Sequence, residues 1–394
     1  MLPSETRERL GLAPSAEVVL ENTPNGVTLH RPTTHLAKIY LEPTSRCNLD
    51  CPMCIRRSWE EPQGNMSSHT FRRVLQGLKE LDYKPTVVLG GFGEPLFHPD
   101  VLEMIARAKE VSQRVEVITN GLLLTEAMTS ELIRLELDAL WFSVDRFHSG
   151  VSGDGATLLP NIERLNYLRR RMSSRVPETG FVFVATKSNV DDLPALLQGG
   201  VRYGVSRYMV TNVLPYTSDM CDQTLYRRAV DQVESSASTW APAIEWPRMD
   251  LDQGMLRTLD QLLRSRYNVR LNGAGLNPSE GRCPFISTGA VAVSWDGAVS
   301  PCLGLMHSHV SYLYDKPRAV RRYALGNLND LSLDELWNDP QHRDFRKRVQ
   351  AFEFPPCSWC RACDKAEANE EDCFGNAFPT CGGCLWAWGV IQCP

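Results

Sequence analysis

The sequence contains no apolar run as long as a membrane-crossing helix, so no membrane partner is expected. It has no basic excess either: 42 Lys and Arg against 47 Asp and Glu give a formal net charge of −5. That balance argues against nucleic acid or anionic lipid as partner, because both select positive surfaces. The opening MLPSETRERLGLAPSAE is polar and holds no signal-peptide core; a cytoplasmic location is expected. No internal repeat and no long low-complexity stretch occurs. What remains is ordinary for a globular protein, with 43% hydrophobic and 23% charged residues. A length of 394 residues suits a catalytic domain plus a smaller module.

Cysteine is the residue in excess. Of 13, three lie at Cys47, Cys51 and Cys54, one is Cys221, and nine fall between Cys283 and Cys393. A secreted disulfide framework belongs to shorter chains. In a reducing compartment such clusters read as metal sites, and thiolates suit zinc or iron–sulfur clusters.

Residues 17–30 read as two short strands about a Pro-Asn-Gly turn, a hairpin or lid spanning 1–35. From Leu36, strands and helices alternate. LAKIYLEP, TVVLGGF, RVEVITNG, ALWFSVD, TGFVFVAT and RYMVTNVLP are predicted strands, and amphipathic helical segments separate them. Such alternation marks parallel βα units. Six units over 36–220 suit a partial (β/α)6 barrel with an open side, although periodicity fits a doubly wound sheet equally well. Residues 221–282 read as a helical bridge. Beyond Cys283 the texture changes to turns and cysteines: TGAVAVSWDGAVSPC is a hairpin on an Asp-Gly turn, and SLDELWNDPQHRDFRKRVQAF one Ser-capped helix.

CNLDCPMC spaces its thiols three and then two residues apart, directly after a strand. Such a loop can take three corners of a cubane and leave one iron without a protein ligand, an open position of the kind that separates catalytic from structural metal sites. A zinc knuckle is the competing reading, but no fourth Cys or His follows closely.

The spacing resembles the C-x3-C-x2-C motif of the radical S-adenosylmethionine (SAM) superfamily, and the resemblance runs from about Leu36 to Leu214. GGFGEP at 90–95 resembles the family's glycine-rich motif, whose backbone binds the methionyl amine of SAM; Glu94 takes the place of its acidic residue, in a longer variant. ITNG, FSVD and ATKSN resemble the motifs of later strands, which makes Asn120, Ser143, Asp145 and Asn189 candidate SAM contacts beside Gly90 and Gly91. Met53 stands where many members carry an aromatic residue. The resemblance implies a TIM-like radical SAM barrel, a [4Fe-4S] cluster on Cys47, Cys51 and Cys54, and reductive cleavage of SAM to a 5′-deoxyadenosyl radical. A low-potential donor such as ferredoxin or flavodoxin would supply the electron.

Cys283 and Cys302, with Gly297 between them, resemble the opening of the SPASM domain, which carries auxiliary [4Fe-4S] clusters. A cysteine-rich SPASM-type domain is therefore expected over 283–394, and with it three clusters in all. Downstream, Cys357, Cys360, Cys363, Cys373, Cys381, Cys384 and Cys393 depart from the family's C-x2-C-x5-C-x3-C spacing. The resemblance favours Cys283, Cys302 and Cys384 on one cluster, and Cys357, Cys360, Cys381 and Cys393 on the other, with Cys363 and Cys373 competing for a vacancy. Structural zinc is the alternative. His307 and His309 are candidate acid–base groups or plain loop histidines. Leu303 replaces the acidic residue that many SPASM enzymes carry there.

PTCGGCLWAWGVIQCP together with GGFGEPLFHPD resembles the maturases associated with tungsten-containing aldehyde:ferredoxin oxidoreductases. That implies action on the oxidoreductase or its tungstopterin cofactor. A peptide maturase acting on a ribosomal precursor is the second reading. An iron–sulfur electron carrier without radical chemistry is the third, and it would need no SAM pocket.

Overall fold

The computed structural model describes residues 34–145, 158–226, 283–313, 315–355, 357–358 and 364–393. It also describes the backbone of 19–23, 26–30, 243–246 and 268–271. The strands in chain order are β1 (Val19–Thr23), β2 (Gly26–His30), β3 (Lys38–Leu41), β4 (Thr86–Leu89), β5 (Arg114–Thr119), β6 (Ala139–Ser143), β7 (Glu178–Ala185) and β8 (Arg207–Asn212). They continue with β9 (Ala243–Trp246), β10 (Asn268–Leu271), β11 (Ala290–Val293), β12 (Ala298–Ser300), β13 (His309–Leu313), β14 (Lys316–Val320) and β15 (Gly326–Asn327).

Strands β3 to β8 pair in sequence order, every pair parallel. Parallel strands are covered on both faces, so they read as nearly continuous apolar runs. KIYL, TVVL and ALWF are of this kind, with three or four consecutive buried residues each. The pleat then sorts their side chains. Ile39, Leu41, Val87, Leu89, Leu140 and Phe142 join the core built by the crossover helices. Tyr40, Val88, Trp141, Val182 and Met209 point to the opposite face.

The helices keep their sequence signals. Ser67 caps Ser68–Lys79 by accepting from the Thr70 amide, and Thr125 caps Glu126–Arg134 in the same way through Met128. The single helix expected at 332–352 is two. Ser332 and Glu335 form a capping box on Leu333–Asn338, and a second helix runs Pro340–Ala351. Pro340 drives Asp339 out of the α region, to φ −50 and ψ 131.

The sheet does not close. It has eleven described strands, ordered β10-β9-β8-β7-β6-β5-β4-β3-β11-β12-β15. At one edge β9 and β10 extend it in parallel, so the 221–282 bridge is not wholly helical. AIEW and NVRL are short segments carrying the β-branched and aromatic residues that favour a pleated surface. The helical parts expected there beyond Tyr226 lie outside the described residues. At the other edge β11 pairs parallel with β3, and β12 returns antiparallel on the expected Asp-Gly turn. The C-terminal module thus continues the same sheet. The hairpin β1–β2 forms a separate two-stranded sheet.

Gly289 makes that junction possible. Its carbonyl accepts from the Ala37 and Lys38 amides at 2.7 and 3.2 Å. Its φ is +73, and a Cβ there would lie 2.1 Å from the His35 carbonyl oxygen. Gly289→Ala is expected to lower unfolding free energy by about 1–3 kcal/mol, through left-handed strain and backbone overlap. Urea denaturation of both proteins checks this; equal midpoints would show that the junction relaxes freely.

Candidate functional site: one rim and a cysteine-lined cavity

Because β3 to β8 are parallel, the loops leaving their C-terminal ends share one rim. The cysteine loop leaves β3 there. Its turn closes through Cys54 N–H donating to the Cys51 carbonyl at 3.1 Å. Leu49 N–H points at the Cys47 sulfur at 3.4 Å, and Arg56 Nε at the Cys54 sulfur, also at 3.4 Å. Burial raises the Cys47 thiol. Burial, then the facing Asp145 carboxylate and the neighbouring thiols, push Cys51 up to about 12. Such thiols ionise when a metal takes the proton's place.

The 90–94 loop lies directly on this segment. Glu94 N–H donates to the Arg46 carbonyl at 2.9 Å, and a Cβ on Gly93 would lie 2.0 Å from the Thr44 oxygen. Gly91 has φ +100, and a Cβ there would press on Glu42 at 2.9 Å. Only glycine fits either position without displacement. Gly90 is buried against Ile118.

The remaining candidates divide. Asp145 faces Cys51, and half-buried Ser143 ends β6 on the same rim. Asn120 bridges inward: its amide nitrogen donates to Asn48 Oδ1 at 2.8 Å and lies 3.9 Å from the Cys47 sulfur. Glu94 and Asn189 are braces. The Glu94 carboxylate accepts from the Leu96 and Asn120 amides and from the Thr119 hydroxyl, at 2.7–3.0 Å. Asn189 Oδ1 accepts from Thr186 N–H, and its Nδ2 donates to the carbonyls of Asp145 and Val184. Both are buried, and their hydrogen bonds join neighbouring strand ends.

The sequence motifs did not reveal the two ends of the cysteine loop. Glu42 follows β3 and is buried; its Oε1 accepts from Phe92 N–H at 3.1 Å. Trp59, Phe92 and Tyr216 gather around Ile55 and Cys54, and His307 lies against the Trp59 ring. Glu five residues before the first cysteine was a readable signal; its partner His307, 265 residues away, was not. Neither His307 nor His309 is a loop histidine in solvent, for both are buried. Burial lowers His309 to about 4, so it is neutral.

The second thiol group lies in the C-terminal module. Cys283, Cys302, Cys381 and Cys384 line one cavity of about 810 Å³, open space included. Burial pushes Cys283 up to about 12 and also raises Cys302, Cys381 and Cys384, their mutual proximity adding to it for Cys283, Cys302 and Cys381. Cys381 thus lines this cavity beside Cys283, Cys302 and Cys384. The Cys-Gly-Gly-Cys turn, closed by Cys384 N–H on the Cys381 carbonyl at 3.0 Å, turns both thiols to one space.

Buried Arg318 faces Cys357, Cys384 and Cys381, a cation beside thiols that would be anionic as ligands. The Cys357 sulfur lies against Gly382, where a Cβ would come within 3.2 Å. Cys393 is apart, receiving Trp386 Nε1 at 3.4 Å. Cys373 is exposed, Cys221 is buried, and Cys360 and Cys363 lie outside the described residues. Among the described residues no three His, Cys, Asp or Glu side chains converge on a point that would hold a single metal ion. Cys283, Cys302, Cys381 and Cys384 share one cavity, and a donor set of thiols alone suits an iron–sulfur cluster.

A parallel βα sheet with a three-thiol loop at the rim of its first strand, backed by a thiol-lined module, defines the radical SAM class. Residues 41–205 match the radical SAM superfamily, and residues 283–364 match SPASM, an iron–sulfur cluster-binding domain. The chain is a radical SAM enzyme with a C-terminal SPASM module, using SAM and [4Fe-4S] clusters. It is 28% identical over 377 residues to the tungsten-containing aldehyde ferredoxin oxidoreductase cofactor-modifying protein of Pyrococcus furiosus, covering 90% of this chain and 96% of that one. It is 26% identical over 366 residues to the PqqA peptide cyclase of Granulibacter bethesdensis, covering 90% and 86%. Streptococcus suis SuiB bound to SAM shares the fold at a TM-score of 0.52 and 13% identity, covering 84% of this chain and 71% of that one. So does anSMEcpe with bound AdoMet, at 0.52 and 18%, covering 82% and 87%.

Glu94→Gln is expected to set an amide N–H against a backbone donor and lower stability by about 1–3 kcal/mol. Thermal unfolding of the reconstituted protein measures it; an unchanged midpoint would remove Glu94 as the brace between the β4 and β5 loops.

Proposed function

We propose that this enzyme matures a tungsten-containing aldehyde ferredoxin oxidoreductase, or its tungstopterin cofactor, by radical chemistry. The similarity to the Pyrococcus furiosus cofactor-modifying protein, running nearly end to end through both modules, carries this reading. The rim geometry supports the site: Cys47, Cys51 and Cys54 would hold the first cluster, with one iron left for SAM. A cluster held by these three thiolates would supply the electron for reductive cleavage of SAM to a 5′-deoxyadenosyl radical.

The chain's own residues shape that reaction. The Gly90-Gly91 backbone would meet the SAM amine, and Ser143 and Asp145 its ribose or carboxylate. Asn120, Glu94 and Asn189 hold the strand ends that present these groups. Cys283, Cys302, Cys381 and Cys384 would take one auxiliary cluster. Cys357 and Cys393, with Cys360 and Cys363, would take a second, and Cys373 competes for a vacancy. The radical SAM domain would span 36–220 and the SPASM module 283–394, with a lid before and a bridge between. A cytoplasmic setting and a ferredoxin or flavodoxin donor complete the proposal. Among the described residues no helix is long and apolar enough to cross a membrane.

A peptide maturase is the second reading, favoured by the similarity to PqqA peptide cyclase. Incubation with the apo-oxidoreductase and, separately, with candidate precursor peptides distinguishes them by which one gains a mass change that depends on SAM.

Reconstituted protein is expected to carry about twelve irons, four for each of three cubanes. Replacing Cys47, Cys51 and Cys54 together by Ala should remove about four of these and abolish 5′-deoxyadenosine formation. Undiminished SAM cleavage in that variant would exclude the assignment.

A further inference from the structure

His307 sits where the two modules meet, held from both sides. Its Nδ1 lies 2.7 Å from Glu61 Oε2, and its Nε2 lies 2.9 Å from Glu42 Oε2. A neutral imidazole has one N–H, and two carboxylate acceptors need two. His307 is therefore an imidazolium between two anions, 2% exposed. Each carboxylate reaches further. Glu42 also accepts the Phe92 amide, inside the glycine loop, and its Cβ and Cγ pack under Gly91. Glu61 accepts the Ser308 amide at 2.7 Å and lies 3.8 Å from Arg322, which is itself paired with Asp296 at 2.9 Å. The Trp59 ring, on the cysteine-loop side, lies tilted against the imidazole at 4.3 Å, with the edge-on Phe92 ring at 6.1 Å.

We propose that His307 is a positioning residue for SAM: the Glu42–His307–Glu61 clamp fixes the glycine loop against the exit of the cysteine loop. A side chain of the SPASM module thereby sets the geometry of the radical SAM rim. The inference rests on the reading that Gly90-Gly91 meets SAM. No contact of His307 with substrate is needed, because both ring nitrogens are occupied.

The charge state gives the clamp a pH signature. Burial opposes the imidazolium, but the hydrogen bonds to Glu42 and Glu61 outweigh it and raise His307 to about 9. The other groups facing this assembly are Arg322 beside Glu61 and neutral His309, whose Nδ1–H donates to the His307 carbonyl at 2.9 Å. A raised histidine contributes fully below its unfolded value near 6.5, and that contribution is lost as pH rises through about 9. Removing one anion brings the loss to lower pH.

The test uses reconstituted enzyme, His307→Gln and Glu61→Gln, with iron content, SAM affinity by equilibrium dialysis, and 5′-deoxyadenosine formation across pH. His307→Gln should keep its iron and bind SAM about tenfold more weakly, the scale on which a supporting side chain acts through its neighbour. Glu61→Gln should weaken SAM binding at neutral pH less than His307→Gln does and shift the alkaline loss of binding to lower pH. Should His307→Gln lose iron or precipitate, the Glu61→Gln profile decides alone. Normal SAM affinity in His307→Gln, or an alkaline limb unmoved in Glu61→Gln, overturns the clamp while leaving the radical SAM reading intact. Iron-replete wild-type protein that binds no SAM overturns both.

Discussion

An open parallel sheet has two apolar faces, and only one is covered by its own crossover helices. The other presents Tyr40, Val88, Trp141, Val182 and Met209, and leaving it in water would cost about 25 cal/mol for each Å² of apolar surface. The C-terminal module meets much of this demand: Phe285, Leu385, Trp386, Trp388 and Ile391 pack with Tyr40 and Val88 in one core. Hydrogen bonds to the main chain of the cover hold it in register. Beyond the β3–β11 pairing, Asn212 donates to the Val390 carbonyl at 2.8 Å, and Gln392 N–H donates to Thr211 at 2.8 Å. The last residues described are thus pinned to the end of β8.

This cover brings the cysteines with it. Cys283 lies just before the segment that turns into β11, Cys302 just after β12, and Cys381 and Cys384 just before Trp386. The thiols consequently line the space behind the sheet as a by-product of how the module is threaded. The same threading carries His307 to the rim of β3 and His309 to Tyr216, whose ring centroid is 5.5 Å away. Catalytic rim and auxiliary cavity are therefore two parts of one packed unit, not two domains joined by a tether.

Charge is distributed so that nearly every buried anion on the rim has its donors. Glu94 has two amides and a hydroxyl and Glu42 an amide and an imidazolium, while towards the opposite ends of the strands Glu116 has Trp141 Nε1 at 2.8 Å and Arg114 at 2.5 Å. The cysteines are the exception. Burial raises the thiols of Cys47, Cys51, Cys283, Cys302, Cys381 and Cys384, and the nearby cations Arg56 and Arg318 do not reverse this. A cluster of iron ions is the group that would compensate several buried thiolates at once, with binding free energy that also adds to folding.

Strand and helix periodicity, the C-x3-C-x2-C loop and the strand-end motifs were legible in the chain because each depends on residues close in sequence. They determined the parallel βα order and the cysteine-bearing hairpin, and they pointed to the loop proposed to hold the first cluster. Local spacing could not decide which thiols share a cavity: Cys283 and Cys381 are nearly a hundred residues apart and meet only because the module folds back over the sheet. It could not separate ligand from brace either, since Glu94 and Asn189 carry motif positions yet are bonded to neighbouring backbone. Nor could it pair Glu42 with His307, because a hydrogen bond between a strand end and a distant loop leaves no periodic trace. Those choices belong to the tertiary structure, where burial of the sheet's second face decides which distant groups must become neighbours.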